Sequence, residues 1–202
     1  MENAHYFLHV TDTHLCFDAE APDICCTEQA LRSLYQTAFA WDHRPAFVLI
    51  TGDLVHEGTS ADYARAKTLL QELDEQYHTK TYPALGNHDN RENFNSAFRE
   101  QASDQPVDYC VQNEWLRWIV LDSSCGQVIG QLSGSQLAWL EQEQCDPTDC
   151  PTILALHHPV YGTTTAETDA NNLATPDRLI RLLQDHPVDG ILCGHSHEAT
   201  LV

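Results

Sequence analysis

Gly86-Asn87-His88-Asp89 follows directly on the β-rich run Lys80-Thr81-Tyr82-Pro83-Ala84-Leu85, and the rest of the chain is organised around how this stretch is read. A carboxamide, an imidazole and a carboxylate in succession cannot all be core residues, because each unpaired polar group costs about 1–3 kcal/mol once buried. The leading glycine lets the backbone turn sharply as it leaves the strand. Alone, the tetrapeptide reads equally well as a polar turn. The same grammar recurs, however. Asp12-Thr13-His14 follows the apolar run 6–10, Gly52-Asp53 follows 46–51, His157-His158-Pro159 follows 151–156, and Gly194-His195-Ser196-His197 follows 188–193. In open α/β sheets ligands bind beyond the carboxyl ends of strands, so these strand ends are expected to converge on one site.

With 202 residues the chain is long enough for a sizeable core, and one domain spanning 1–202 is expected. A hydrophobic content of 42% argues against disorder. No run approaches the ~18 apolar residues a membrane span needs. The stretch Met1-Glu2-Asn3-Ala4-His5 lacks the basic and apolar regions of a signal peptide, so a cytoplasmic location is expected. The formal net charge is -20, and Lys67 and Lys80 are the only lysines. Such a balance argues against nucleic acid as a partner, since affinity for polyphosphate comes from Lys and Arg releasing counterions. An acidic enzyme acting on a phosphate ester needs cations at its site to reverse the local field. The eight cysteines form no Cys-x-x-Cys pair, which argues against a structural zinc site. Cys25 and Cys26 are adjacent and the rest are scattered. Free thiols are expected, with Cys145 and Cys150 the one pair to check for a bridge.

Working outward from Gly86, the preceding chain alternates strand and helix. Strands are predicted at 5–11, 46–51 and 80–85. A helix capped by Thr27 is predicted to about Trp41, with Ala30, Leu31, Leu34 and Ala38 inward. A second, capped by Ser60, is predicted to about Tyr77, with Tyr63, Ala66, Leu69, Leu70 and Leu73 inward. Continuous apolar strands in this order mark a parallel sheet covered on both faces. Beyond His88 a short helix is predicted at 92–99, then a hairpin of 107–112 and 115–121 about Asn113-Glu114. Leu132-Ser133-Gly134-Ser135 opens a helix carrying Leu137, Trp139 and Leu140, and a strand at 152–156 follows. Residues 159–174 read as a long functional loop, in which Asn171 and Asn172 are turn residues within reach of a purine. Thr175-Pro176 starts a last helix to about Asp185, before a strand at 188–193. The fold class expected is α/β: two packed sheets flanked by outer helices, with the polar turns along one edge.

Asp12, His14, Asp53, Asn87, His157, His195 and His197 then offer oxygen and nitrogen donors and no sulfur. Carboxylate with imidazole suits manganese, iron or zinc and is too nitrogen-rich for magnesium or calcium. So many ligands exceed what one metal with an open position needs. They suit two metals sharing a bridging carboxylate, about 3.5–4 Å apart. His5, His9, His43, His56, His78 and His186 read as surface or core residues. Arg91 reads either as a phosphate contact or as a solvated residue at a helix start.

Taken together, Asp12-x-His14, Gly52-Asp53-x4-Gly58, Gly86-Asn87-His88-Asp89, His157-His158-Pro159 and Gly194-His195-x-His197 resemble the calcineurin-like metallophosphoesterase superfamily over residues 12–197. Longer phrases narrow the resemblance. Val10-Thr11-Asp12-Thr13-His14-Leu15, Thr51-Gly52-Asp53-Leu54-Val55, Gly130-Gln131-Leu132-Ser133 with Gln136 and Trp139-Leu140, and Leu192-Cys193-Gly194-His195 are similar to the bacterial class III cyclic 3′,5′-AMP phosphodiesterases. The resemblance implies that Asp12, His14 and His197 hold one metal, that Asn87, His157 and His195 hold the other, and that Asp53 bridges. It favours His157 over His158, from the proline two residues after the ligand. The implied cofactors are two divalent or mixed-valence ions, manganese or iron first and zinc also compatible. A hydroxide between the metals is implied to attack the phosphorus of a small phosphodiester. His88 is implied to face the phosphate, stabilising charge or protonating the leaving group, and Asp89 to orient a neighbouring group. Asn87, His88 and Arg91 are the candidate substrate contacts.

Sister activities share the implied centre: a glycerophosphodiesterase, a nucleotide-pyrophosphate hydrolase or a broad phosphomonoesterase. A metal-bearing scaffold for a partner protein is the reading from outside enzymology. Family members normally continue past the Gly-His-x-His turn with strands that complete the second sheet, whereas this sequence stops at Val202. The expectation is a second sheet whose C-terminal strands are short or missing, with an open edge that recruits a second copy into a homodimer.

Overall fold

In a computed structural model of the protein, residues 5–17, 27–146, 148–161 and 172–197 are described. The predicted features at Cys25, Cys26 and Asn171, most of the 159–174 loop, and everything after His197 lie outside them. The strands form two sheets. The first is parallel, in the order β1 (Leu8–Val10), β2 (Val48–Thr51), β3 (Thr81–Ala84). The second runs β4 (Tyr109–Gln112), β5 (Arg117–Val120), β6 (Thr152–Ala155), β7 (Gly190–Leu192). Here β4 and β5 are the antiparallel hairpin expected about Asn113-Glu114, and the later pairings are parallel. The helices are α1 (Thr27–Ala38), α2 (Ser60–Tyr77), α3 (Arg91–Arg99), α4 (Gly134–Cys145) and α5 (Pro176–Asp185).

Strand periodicity distributes the apolar side chains over three clusters. On β2, Val48 and Ile50 point to α1 and α2, where Leu31, Tyr35, Leu69 and Leu73 meet them. Phe47 and Leu49, one residue out of phase, face the other sheet and pack with Trp118, Val120 and Ala155. Ile119 and Leu121 on β5 and Leu154 and Leu156 on β6 join Leu137 and Leu140 of α4 and Leu179 of α5. Both sheets are thus sandwiched between each other and an outer helix layer. All four residues of β2 and of β5 are buried, which is why these strands read as continuous apolar runs. The Phe47 and Trp118 rings stack at 4.2 Å across the join.

Two sequence expectations are corrected here. On α1 the buried face is Leu31, Tyr35 and Ala38, with Leu34 left 37% exposed and Ala30 outside. Tyr35 wins the inward position because its hydroxyl also has a buried partner, the Thr81 hydroxyl at 2.6 Å. The N-cap of α2 is Thr59, not Ser60. Thr59 and Asp62 form a reciprocal capping box, contributing about 1 kcal/mol. The same device opens α4, where Ser133 caps Gln136 and the Gln136 amide continues to Asp108 and the Asp122 carbonyl. Cys145 and Cys150 are both free thiols.

Candidate metal centre

The chain leaves β1, β2, β3, β6 and β7 at the same end of the two sheets, and each exit carries one polar motif. The exits of β1 and β2 continue side by side. The His14 N–H donates to the Asp53 carbonyl, Leu15 N–H to that of Leu54, and His56 N–H to that of Leu15. Asp12, His14, Asp53, His195 and His197 all adopt positive φ, between 39° and 72°. The other non-glycine residues with positive φ among those described, His78 and Glu100, merely end α2 and α3. A non-glycine residue held there costs on the order of 1–3 kcal/mol and persists only where its surroundings impose it. Backbone strain is therefore concentrated on the predicted ligands.

Two glycines are fixed by close approach. Gly52, at φ 97°, lies against the His157 ring, and a side chain on Gly86 would strike the Asp53 carboxylate. The glycine before Asp53 and the glycine before Asn87 exist so that site side chains can cross the backbone there.

Asp53 is 2% exposed. Its Oδ1 accepts the His88 N–H at 2.9 Å. Its Oδ2 lies 3.6 Å from His14 Nε2 and 3.4 Å from His157 Nε2. On one side of that oxygen, His14 Nε2 is 3.4 Å from His197 Nε2, which is 3.3 Å from Asp12 Oδ1. On the other side, His157 Nε2 is 3.2 Å from both Asn87 Oδ1 and His195 Nδ1. The structure therefore brings all seven predicted ligands together. His157 Nδ1 donates to the Thr51 carbonyl at 2.9 Å, which fixes the tautomer and leaves Nε2 turned inward.

The donor set fits a cation. Two pairs of imidazole nitrogens face each other, with carboxylate and carboxamide oxygens beside them, and a cation among them would be met by oxygen and nitrogen donors from every side. Charge regulation agrees. Burial alone would raise the Asp53 carboxyl, but His157, the His88 N–H and His14 hold it well below the ordinary range. His157 stays above its ordinary value through Asp53 and Asp12, although burial pulls it down. Each partner thus favours the charged form of the other. Among the described residues, four groups have the spacing to hold a metal: Asp12, His14 and His197; Asp12, Asp53 and His157; His157, His158 and His195; and His14, His56 and His88.

His158 lies beside His157 and His195, with one nitrogen of each within 4.8 Å of the others, but its own ring nitrogens are engaged elsewhere. Its Nδ1 lies 2.8 Å from the Ser123 hydroxyl and its Nε2 3.1 Å from the Val128 carbonyl. Burial and the charges of His157 and His195 push its pKa down to about 3, so it stays neutral and fastens the 123–128 loop to β6. Asp89 is buried and accepts from Leu54 N–H, Gly86 N–H, Val55 N–H and the Tyr63 hydroxyl. Its carboxylate ties the exits of β2 and β3 together rather than facing the ligands. Arg91 does not wait for a phosphate. Its Nε donates to the buried Asp122 carboxylate at 2.7 Å, and another guanidinium nitrogen to the Ser124 carbonyl.

His88 is exposed at the rim. Its Nδ1 lies 2.9 Å from the His56 carbonyl, leaving Nε2 for an incoming group. His56, assigned by its sequence to the surface or the core, stacks on His88 at 5.1 Å and meets the His14 ring edge-on at 5.6 Å. Sequence reasoning missed it. The available signal was its place three residues after Asp53, on the loop that pairs with 14–15.

The fold is thus a two-sheet sandwich with outer helices, and its site sets a carboxylate between two imidazole-rich groups. A family model described as calcineurin-like phosphoesterase matches residues 5–199. The chain belongs to the calcineurin-like phosphoesterase family. It is 35% identical over 198 residues to a probable cyclic nucleotide phosphodiesterase of Rhodococcus erythropolis, covering 97% of this chain and 66% of that protein. It is 32% identical over 168 residues to a glycerophosphodiester phosphodiesterase of Enterobacter lignolyticus, covering 78% and 58%. The chain thus spans about two thirds or less of the length of these relatives. A dimetal phosphatase from Danio rerio shares the fold, with a TM-score of 0.72 at 15% identity over 96% of this chain and 82% of that one.

Proposed function

We propose that this chain is a two-metal phosphodiesterase acting on a small phosphodiester, with a cyclic nucleotide such as cyclic 3′,5′-AMP as the substrate. The observation that carries the reading is Asp53 Oδ2, turned at once toward His14 and His157, the innermost nitrogens of the two ligand groups. Asp12, His14 and His197 hold one ion, Asn87, His157 and His195 the other, and Asp53 belongs to both. When bound, the ions neutralise the phosphate and supply the nucleophile. The chain's own residues do the rest. The Asp53–His88 backbone contact fixes where His88 stands, and the His56 carbonyl fixes its tautomer, so that Nε2 meets a phosphoryl or leaving oxygen. Asn87 and His88 are the substrate contacts, whereas Arg91 braces α3 against the second sheet.

Similarity to the Rhodococcus protein favours a cyclic nucleotide, and similarity to the Enterobacter protein keeps a glycerophosphodiester as the second reading. The test is a substrate panel on protein of measured manganese content: cyclic 3′,5′-AMP, cyclic 3′,5′-GMP, glycerophosphoethanolamine and bis-p-nitrophenyl phosphate. The expected result is hydrolysis of the cyclic nucleotides and of the aryl diester. Preference for glycerophosphoethanolamine would establish the second reading, and inertness toward all four with metal bound would overturn both.

A further inference from the structure

Both lysines of this chain line a single cavity. It lies along the outer edge of β3, walled by α2, α3 and the start of the hairpin, with a volume of about 290 Å³. None of the candidate ligands, nor His88, takes part in it. Around it stand three cations, Lys67, Lys80 and Arg99, and one carboxylate, Asp74, in a chain with 10 basic and 30 acidic residues. The carboxylate is already engaged. Asp74 accepts the Thr81 hydroxyl at 2.6 Å and the Thr81 N–H at 3.1 Å, with Lys80 only at 3.9 Å. Lys67 donates to the Ala97 carbonyl at 2.7 Å, and neither it nor Arg99 has an ion-pair partner among the described residues. A positive local field in so acidic a molecule selects an anion.

The walls add a second requirement. Phe94 and Phe98 stack at 4.5 Å with their planes 9° apart, and the half-buried Phe98 offers its ring to the cavity. The edge of β3 is closed to strand pairing. Its Thr81 N–H is held by Asp74, Pro83 has no N–H, and the Pro83 carbonyl accepts the Tyr109 hydroxyl at 2.9 Å. A peptide strand therefore finds no ladder there, and the volume sits at the small end of ligand sites, about 300 Å³. We infer that this cavity binds a small aromatic monoanion of one or two rings, the ring lying against Phe98 and the charge among Lys67, Lys80 and Arg99.

Because these are the only two lysines, ¹³Cε-lysine labelling gives two lysine signals, both at the cavity. Metal-loaded protein is titrated with 2-naphthoate, and separately with the neutral 2-naphthalenemethanol. The inference expects both lysine signals to shift saturably with naphthoate. It expects binding about tenfold weaker in Arg99→Gln or Lys80→Gln, the loss of one charge-assisted contact, and weaker binding of the neutral analogue. Both side chains are exposed, and a thermal melt confirms that each variant is folded. Absence of a saturable shift at millimolar naphthoate, equal binding of the alcohol, or unchanged affinity in both folded variants would overturn the assignment.

Discussion

His88 and Asp89 are consecutive residues with opposite surroundings. His88 is exposed with Nδ1 held by a backbone carbonyl, so its Nε2 is the ring nitrogen left open to an incoming group. If it acts as a general acid, it matters most when the leaving oxygen is a poor one, such as the ribose alkoxide of a cyclic nucleotide. Proton donation of this kind contributes roughly 10²–10⁴-fold. A p-nitrophenolate needs no proton to leave. His88→Ala is therefore expected to slow cyclic AMP hydrolysis far more than bis-p-nitrophenyl phosphate hydrolysis, with metal content unchanged; equal losses on both substrates would assign it to charge stabilisation alone. Asp89 is buried beneath four donors. In Asp89→Asn one end of the side chain becomes a donor facing donors, leaving buried N–H groups unpaired at about 1–3 kcal/mol. The variant should melt several degrees below the parent, and an unchanged melting temperature would show that these hydrogen bonds do not hold the turns. The convergence of the seven residues proposed as ligands was legible, because Asp, Asn and His at strand ends have few other uses. Arg91 and His56 were not. Their roles depend on Asp122, 31 residues from Arg91, and on a loop pairing between residues 14–15 and 54–56, and neither contact leaves a local pattern.

Among the elements, the loop from β5 to α4 is pinned to β6 through His158, which a proton would disrupt. Folded, this imidazole stays neutral to about pH 3, whereas unfolded it takes a proton near its ordinary value of 6.5. Between those values the unfolded chain binds more protons, so this group's contribution to stability is complete above about 6.5 and falls as the pH drops toward 3. The melting temperature of the parent should decline more steeply between about pH 6.5 and 4.5 than that of His158→Gln, whose amide keeps a donor and an acceptor for Ser123 and Val128. Parallel slopes would remove His158 as the acid-sensitive group. The order of strands and helices was readable from apolar runs and caps, since burial on both faces leaves β2 and β5 without polar residues apart from Thr51 and Arg117. The face of α1 was not, because Leu34 outranks Tyr35 in hydropathy and only the Thr81 hydroxyl reverses the choice.

At the scale of the whole molecule, the charge of -20 surrounds a centre built from carboxylates and imidazoles. Arg91, the cation nearest in sequence to Asn87 and His88, is paired with Asp122, so a phosphate approaching the rim meets repulsion until it reaches bound metal. Raising salt from about 20 to 150 mM should therefore increase kcat/KM or leave it flat, since screening lengths shorten most in that range. A steep fall would reveal an attractive field at the rim, where the nearest cation in sequence is already paired. No helix among those residues is long and apolar enough to cross a membrane. The central claim is that two ions share one carboxylate, and metal content measured against turnover in the parent and in Asp53→Asn tests it most directly. The account predicts two metals per chain in the parent, turnover of bis-p-nitrophenyl phosphate appearing as the second binds, and loss of both ions together in Asp53→Asn. A mutant that keeps close to two metals, or a parent fully active with one, would contradict it.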